Sequence, residues 1–227
     1  MQSTNGAQKL DNPYEELKGL ISSKNKNEIL CRKYLKHTPQ ILFNKSVIAL
    51  INFDEEDRGS SGDSDYVISG IVKNDAGSEY NLAYIWEVKA AQCYIFEEET
   101  KNRLKPSSDL VKAENQLINY YNDKKGDEKF RNRFKITHSN FVKIGGIIIG
   151  SNKTLIKSKK IKSKQTFLEA SSLRENTLYK SPGIRLIIWD TILDQLKNQE
   201  YNNKTENGKI KNISIPNAQT ANFIKID

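Results

Sequence analysis

The run Leu82 to Ala91, "LAYIWEVKAA", constrains the fold of this chain more than any other stretch. Alternate residues of a strand share a face. Ala83, Ile85, Glu87 and Lys89 therefore point one way, and Leu82, Tyr84, Trp86 and Val88 the other. Both faces are apolar except for one acid and one base, which predicts a central strand covered on both sides. An unpaired charge buried in such a strand costs several kcal/mol. Three explanations fit the residues. The pair lies at a wet strand end, it forms a structural salt bridge, or it binds something that offsets the cost, such as a metal ion and a phosphate.

The neighbouring segments supply partners for that strand. Pro13 opens a short amphipathic helix, "PYEELKGLIS", and a second helix is expected in "NEILCRKYLKHTP" before Pro39 ends it. "ILFNKSVIALINFD" reads as a strand or the end of a third helix, and "DEEDRGSSGDS" as a turn-rich loop. "DYVISGIVKN" and the Glu-x-Lys run then form two strands joined by the turn "NDAGS". "EEETKNRLKPSS" reads as a polar loop. A helix follows in "DLVKAENQLINYYND", with Leu110, Ala113, Leu117, Ile118 and Tyr121 as its apolar stripe. "FVKIGGIIIGS" is a strand buried on both faces, and "IKSKKIKSKQ" a basic, mobile segment. "GIRLIIWDTILDQLK" predicts a strand and then a helix, with Asp190 as its N-cap. The order α-α-β-β-α-β-(α)-β-α predicts an α/β sandwich around a mixed sheet. Residues 1–12 are read as a loose terminus, 13–197 as one domain and 198–227 as a polar extension.

Three further features bear on the charged pair. Asp65 opens the strand before the Glu-x-Lys strand. If the two strands pair, it approaches Glu87, and two carboxylates at a strand edge form a hard-oxygen site suited to Mg2+ or Mn2+. Asp63 is a rival for that role, and turn capping is the alternative for both. Gln116 and Tyr120, four apart, are neighbours on one helix face beside the apolar stripe. They either look into a shared site or form an ordinary boundary pair. Glu28 opens the second helix near its apolar face, as a first-turn carboxylate complementing the helix dipole or as a further acidic ligand.

The chain has 227 residues, 37% hydrophobic and 28% charged, enough for a sizeable core. No run approaches the roughly 18 apolar residues of a membrane span. The first residues lack a basic-then-apolar leader pattern, so a cytoplasmic protein with no membrane partner is expected. Cys31 and Cys93 are far apart and make no Cys-x-x-Cys pair, which argues against zinc. The net charge of +8 favours an anionic partner such as nucleic acid, although a solvated lysine-rich surface has the same composition.

Asp65, then Glu87-x-Lys89, then Gln116-x-x-x-Tyr120, in an α-β-β-α-β order, resembles the PD-(D/E)XK nuclease superfamily. Within it, the chain looks most like the Shedu family of bacterial antiphage nucleases. A leading helix ending like "YLKHTPQILF" and a later strand like "GGIIIGS" add to that likeness, which covers roughly Glu28 to Leu196. The resemblance implies a restriction-endonuclease-like mixed central sheet flanked by helices, filling 13–197. It further implies a metal-dependent DNA endonuclease in antiviral defence, acting on double-stranded DNA as a homo-oligomer. In that scheme Asp65, Glu87 and the Val88 carbonyl hold Mg2+ (or Mn2+), with Glu28 or Asp63 as further candidates. Lys89 orients the attacking water and contacts the phosphate, and Gln116 and Tyr120 position these groups. Two other outcomes fit the same scaffold. One is a non-catalytic nucleic-acid-binding or assembly module. The other is a small restriction enzyme or resolvase that cuts at a defined sequence or junction.

Overall fold

A computed structural model describes residues 12–43, 47–59, 62–100, 103–161 and 163–205, with the backbone alone for 47, 50–59, 62–65 and 199–205. The fold is mixed α/β. Its main sheet has five strands in the order β1 (Val47–Gly59), β2 (Gly62–Lys73), β3 (Glu79–Val88), β6 (Val142–Ile148) and β8 (Arg185–Ile187). β1 and β3 each run antiparallel to β2, and β6 and β8 run parallel to β3. The Glu-x-Lys strand is therefore central, as its two apolar faces predict.

Those faces found two separate cores. Val67, Ala83 and Ile85 meet Leu110, Ala113 and Leu117 of α4 (Ser108–Gly126) on one side. Tyr66, Leu82, Tyr84, Trp86 and Val88 meet Leu17 and Ile21 of α1 (Pro13–Ser22) and Trp189, Ile192 and Leu196 of α7 (Trp189–Thr205) on the other. Burying a Leu or Phe side chain contributes about 1.5–3 kcal/mol, so two such layers hold β3 rigidly.

The helices begin where local chemistry favours it. Asn12 caps α1, its side chain accepting from the backbone N–H of Tyr14 at 3.1 Å and Glu15 at 3.3 Å, with Pro13 at the first helical position. Ser107 caps α4 through Leu110 N at 3.1 Å. The α4 stripe is narrower than the sequence suggests: Leu110, Ala113 and Leu117 are buried, whereas Ile118 is exposed.

Several segments depart from the sequence reading. The second helix is broken into α2 (Glu28–Arg32) and a 3-10 turn at Leu35–His37, and Pro39, expected to end it, instead opens the short α3 (Pro39–Leu42). Tyr34 N bonds back to Cys31 O at 3.1 Å, three residues away, and the tightened turn lets the Tyr34 hydroxyl reach Glu16 at 2.6 Å. "DEEDRGSSGDS" is mostly strand, because β1 and β2 stay paired from Val47↔Val72 out to Gly59↔Gly62. The expected loop "EEETKNRLKPSS" holds β4 (Phe96–Thr100) and β5 (Arg103–Pro106), which with β7 (Ile156–Lys157) form a second, three-stranded sheet. Asp190 lies inside the first turn of α7 and is not its cap. Its carboxylate instead accepts from Asn152 N at 2.9 Å and Asn152 Nδ2 at 3.0 Å, joining the loop after β6 to α7. That helix also runs past the expected boundary at 197, to Thr205.

Two glycines in β6 allow close approach. A Cβ on Gly145 would lie 2.3 Å from Trp86 Nε1, and one on Gly146 would lie 2.0 Å from Arg185 O. Gly146 also has φ +153, which side chains rarely adopt. The space they leave lets Arg185 stack over Trp86 at 4.6 Å and donate to the Ile41 carbonyl at 2.7 Å and the Leu42 carbonyl at 2.6 Å. A guanidinium thus caps α3 and pins it to the sheet. Burial pulls its pKa down to about 10, so it stays cationic at neutral pH.

Candidate functional site

Glu87 is completely buried, and its Oε1 accepts a hydrogen bond from Lys89 Nζ, whose side chain is 12% exposed. The two side chains thus form the salt bridge that was one of the three explanations open to the sequence. By strand alternation both residues share the face of Ala83 and Ile85, the face covered by α4. They also stand at the carboxyl end of β3, where the chain leaves the sheet.

The strand end is held from several directions. Lys89 N donates to Ile148 O at 2.7 Å, continuing the parallel ladder one residue past the strand. Trp189 Nε1 donates to Lys89 O at 2.7 Å, across a separation of 100 residues. Thr154 Oγ1 donates to Ala91 O at 2.8 Å. Gln92 Nε2 reaches the carbonyls of Leu20 at 3.0 Å and Ser23 at 2.9 Å, tying the end of α1 to the same place. Trp189, Thr154 and Gln92 were not singled out as site residues. Nothing in their spacing connects them to Glu87; only the topology does.

The β2–β3 register brings the sequence-predicted aspartate into line. The ladder's outermost pair is Tyr66 with Trp86, so Asp65 and Glu87 are the next residues beyond it on the two strands. Asp63 is paired with Arg58 on β1, two residues farther out. The Asp63 and Asp65 side chains lie outside the described residues. Among the described residues, no group of three or more His, Cys, Asp or Glu side chains gathers to hold a metal. The described donors, a carboxylate at Glu87 and a backbone carbonyl at Val88, are all oxygen and fit the chemistry of a hard divalent cation.

Glu28 begins α2, half-buried. Lys26, just before it, pairs with Asp109 in the first turn of α4 at 3.4 Å, which ties this loop to the start of that helix. Burial pushes the Cys31 thiol up to about 12, and the charge of Glu28 adds to the effect. Cys93 is pushed up to about 11, first by burial and then by Asp109. Both thiols are thus kept protonated and poorly nucleophilic.

Gln116 and Tyr120 are neighbours as the helical spacing predicts: Gln116 Nε2 donates to Tyr120 Oη at 3.2 Å. Tyr120 packs against the core that contains Ala83 and Ile85. Gln116 Oε1 is buried and has no hydrogen-bond partner among the described residues. The fold therefore puts Glu87, Lys89, Gln116 and Tyr120 on one side of the sheet.

A second ionic cluster was not foreseen. Glu114, on α4, accepts from Arg174 Nε and Nη2 and from the Tyr179 hydroxyl. Arg174 ends α6 (Lys164–Arg174) and Tyr179 ends a π-helical turn, Glu175–Tyr179. Burial works against the Arg174 charge, but Glu114 outweighs it and its pKa is raised. Burial, then Glu114, raises that of Tyr179. Sixty residues separate Glu114 from Arg174, so no local pattern announces the pair. It locks α4 against the π-helical turn.

No helix among the described residues is long and apolar enough to cross a membrane. Compared with known proteins, the chain matches no family model and no curated protein.

Proposed function

We propose that this chain is a metal-dependent DNA endonuclease with a restriction-endonuclease-like core, of the PD-(D/E)XK type and nearest the Shedu antiphage nucleases, acting in the cytoplasm. The observation that carries the reading is the Glu87–Lys89 pair, buried at the end of a central strand, with Asp65 one residue beyond the last paired position, Tyr66, on the neighbouring strand. A stability role alone is a poor reason to keep such a pair, because well-packed apolar residues of similar volume usually serve as well or better.

In this reading Asp65, Glu87 and the Val88 carbonyl hold Mg2+ or Mn2+. When bound, the cation supplies charge stabilisation at the phosphate and acidifies a water. Lys89 then has two duties. Before substrate arrives, its ammonium balances Glu87. With substrate present, it holds the attacking water in line and donates to a phosphate oxygen as negative charge builds there. Gln116 and Tyr120, joined to each other, orient the Lys89 ammonium or the phosphate. Trp189 fixes the carbonyl of Lys89, so the backbone next to the reacting groups cannot drift.

The test is nicking of supercoiled plasmid with Mg2+ or Mn2+, comparing wild type with Glu87→Gln and Lys89→Ala. Circular dichroism checks that each variant is folded. Loss of nicking in both folded variants is the expected result. Wild-type rates in either variant would sink the assignment. DNA binding by wild type without nicking in any metal would instead identify a binding module on the same scaffold.

A further inference from the structure

An open groove of about 540 Å³ runs along the outer side of α4, between that helix and the β4–β5 hairpin. Its helical wall carries Lys112, Asn115, Gln116 and Asn119, and its hairpin wall carries Glu97 and Lys105. Lys112, Asn115 and Asn119 recur at three- and four-residue intervals, hence on one stripe. At 1.5 Å per residue the stripe is about 10 Å long, which leaves room for only a short stretch of strand.

The charge of this groove is small. Lys105 Nζ lies 3.3 Å from Glu97 Oε1, so those two cancel, and Lys112 remains. One net positive charge is a weak grip on a duplex backbone, which affords about one anion per 1.7 Å. The wall is instead rich in side-chain amides. Asn and Gln present a donor and an acceptor together, which suits base edges. Such edges are within reach of side chains where the strand is unpaired. Gln116 belongs to both places: it lines this groove, and its Nε2 donates to Tyr120 on the side of the Glu87–Lys89 pair.

We infer that this groove holds a short single-stranded DNA segment adjoining the scissile phosphate, read through the amides of Asn115 and Asn119 and steadied by Lys112. The inference rests on the nuclease reading and adds to it a preference for unpaired DNA next to the cut. A frayed end, a flap or a bubble supplies such a segment, whereas an intact duplex does not.

The experiment is fluorescence anisotropy in EDTA, with a fluorescein-labelled single-stranded oligonucleotide and the same sequence as a duplex, across a salt series. Asn115 and Asn119 are exposed, so the double variant Asn115→Ala/Asn119→Ala keeps the fold. It is expected to bind the single strand about tenfold more weakly, as two lost hydrogen bonds predict, with duplex binding and the salt slope unchanged. Lys112→Ala should lower the slope by about one. Wild-type affinity of the double variant for the single strand overturns the inference, and so does equal weakening toward both DNAs. Nicking by wild type alongside either of those results would show that the groove assignment fails while the nuclease reading stands. Absence of both nicking and binding would overturn the two together.

Discussion

Replacing Lys89 by Met should destabilise the protein more than any other single change at the strand end. Glu87 is 0% exposed and Lys89 balances it with a side chain that is 12% exposed. Removing one partner of a buried pair costs about 3–5 kcal/mol, because the remaining charge stays in a poorly solvated place without the group that balanced it. That is a large share of the roughly 5–15 kcal/mol available to a folded domain. The two partners are not equivalent. Lys89 has a flexible stem with some access to solvent, so in Glu87→Met the ammonium can turn outward to water. Glu87 has no such route, and Lys89→Met should therefore cost more than Glu87→Met. The double variant removes both charges and should regain the loss, because an apolar replacement of a buried pair is neutral or stabilising by about 1–4 kcal/mol. Urea unfolding measures this directly. With a slope of about 2 kcal/mol/M, Lys89→Met should lower the midpoint by about 2 M, and the double variant should return to the wild-type midpoint or above it. The fluorescence of Trp86 and Trp189, both fully buried on the opposite face of the sheet, reports the transition. A wild-type midpoint for Lys89→Met, or a double variant no more stable than Lys89→Met, would refute the claim that the pair is a buried liability.

Other consequences are open to measurement. Millimolar Mg2+ should raise the thermal midpoint of wild type by mass action and leave Glu87→Gln unmoved; equal shifts would place the ion elsewhere. Gly145→Ala puts a methyl group against the Trp86 indole at 2.3 Å, which should cost about 1–3 kcal/mol in unfolding free energy. With the Cys93 thiol held at about 11 and that of Cys31 at about 12, both should resist a disulfide-exchange reagent at pH 8 and react on unfolding. These thiols titrate at their ordinary value of 9.0 once unfolded. Their contribution to stability is thus complete below pH 9 and declines as pH rises toward 11, so urea midpoints should fall across that window. Arg174→Ala strands the Glu114 carboxylate beside the Tyr179 hydroxyl, and a loss of about 3 kcal/mol is expected by the same measurement.

The central strand was legible because its residues obey a two-residue period on both faces, and Glu87 and Lys89 stood out against it. The Gln116–Tyr120 contact was legible because four residues make about one helical turn. What escaped was set by distance along the chain or by misleading composition. The β1–β2 hairpin extends through "DEEDRGSSGDS", where charge, glycine and serine suggest a loop; strand pairing there rests on backbone hydrogen bonds and not on an apolar face. The β4–β5 hairpin was hidden in the same way, since β4 is a run of acids and β5 carries two bases along a small peripheral sheet. The expected second helix carried a good apolar period, yet burial of Cys31 and Leu35 together with the reach of Tyr34 toward Glu16 favoured a broken path. Trp189 and Arg185 gave no local sign of their roles, because each acts on a carbonyl more than ninety residues away.

The bond from Trp189 to Lys89 also orders events in time. A ribosome adding roughly 5–20 residues per second takes about 5–20 s to cross the 100 residues between them. Until β6 and then Trp189 emerge, β3 lacks its parallel neighbour and the apolar layer behind it, and the two charges remain in contact with water. A nascent chain can therefore hold the antiparallel β1–β2–β3 meander early, with close neighbours in sequence, while the strand end that carries Glu87 and Lys89 stays unset. The surroundings of Glu87 and Lys89 are thus completed only when almost all of the described fold has been synthesised.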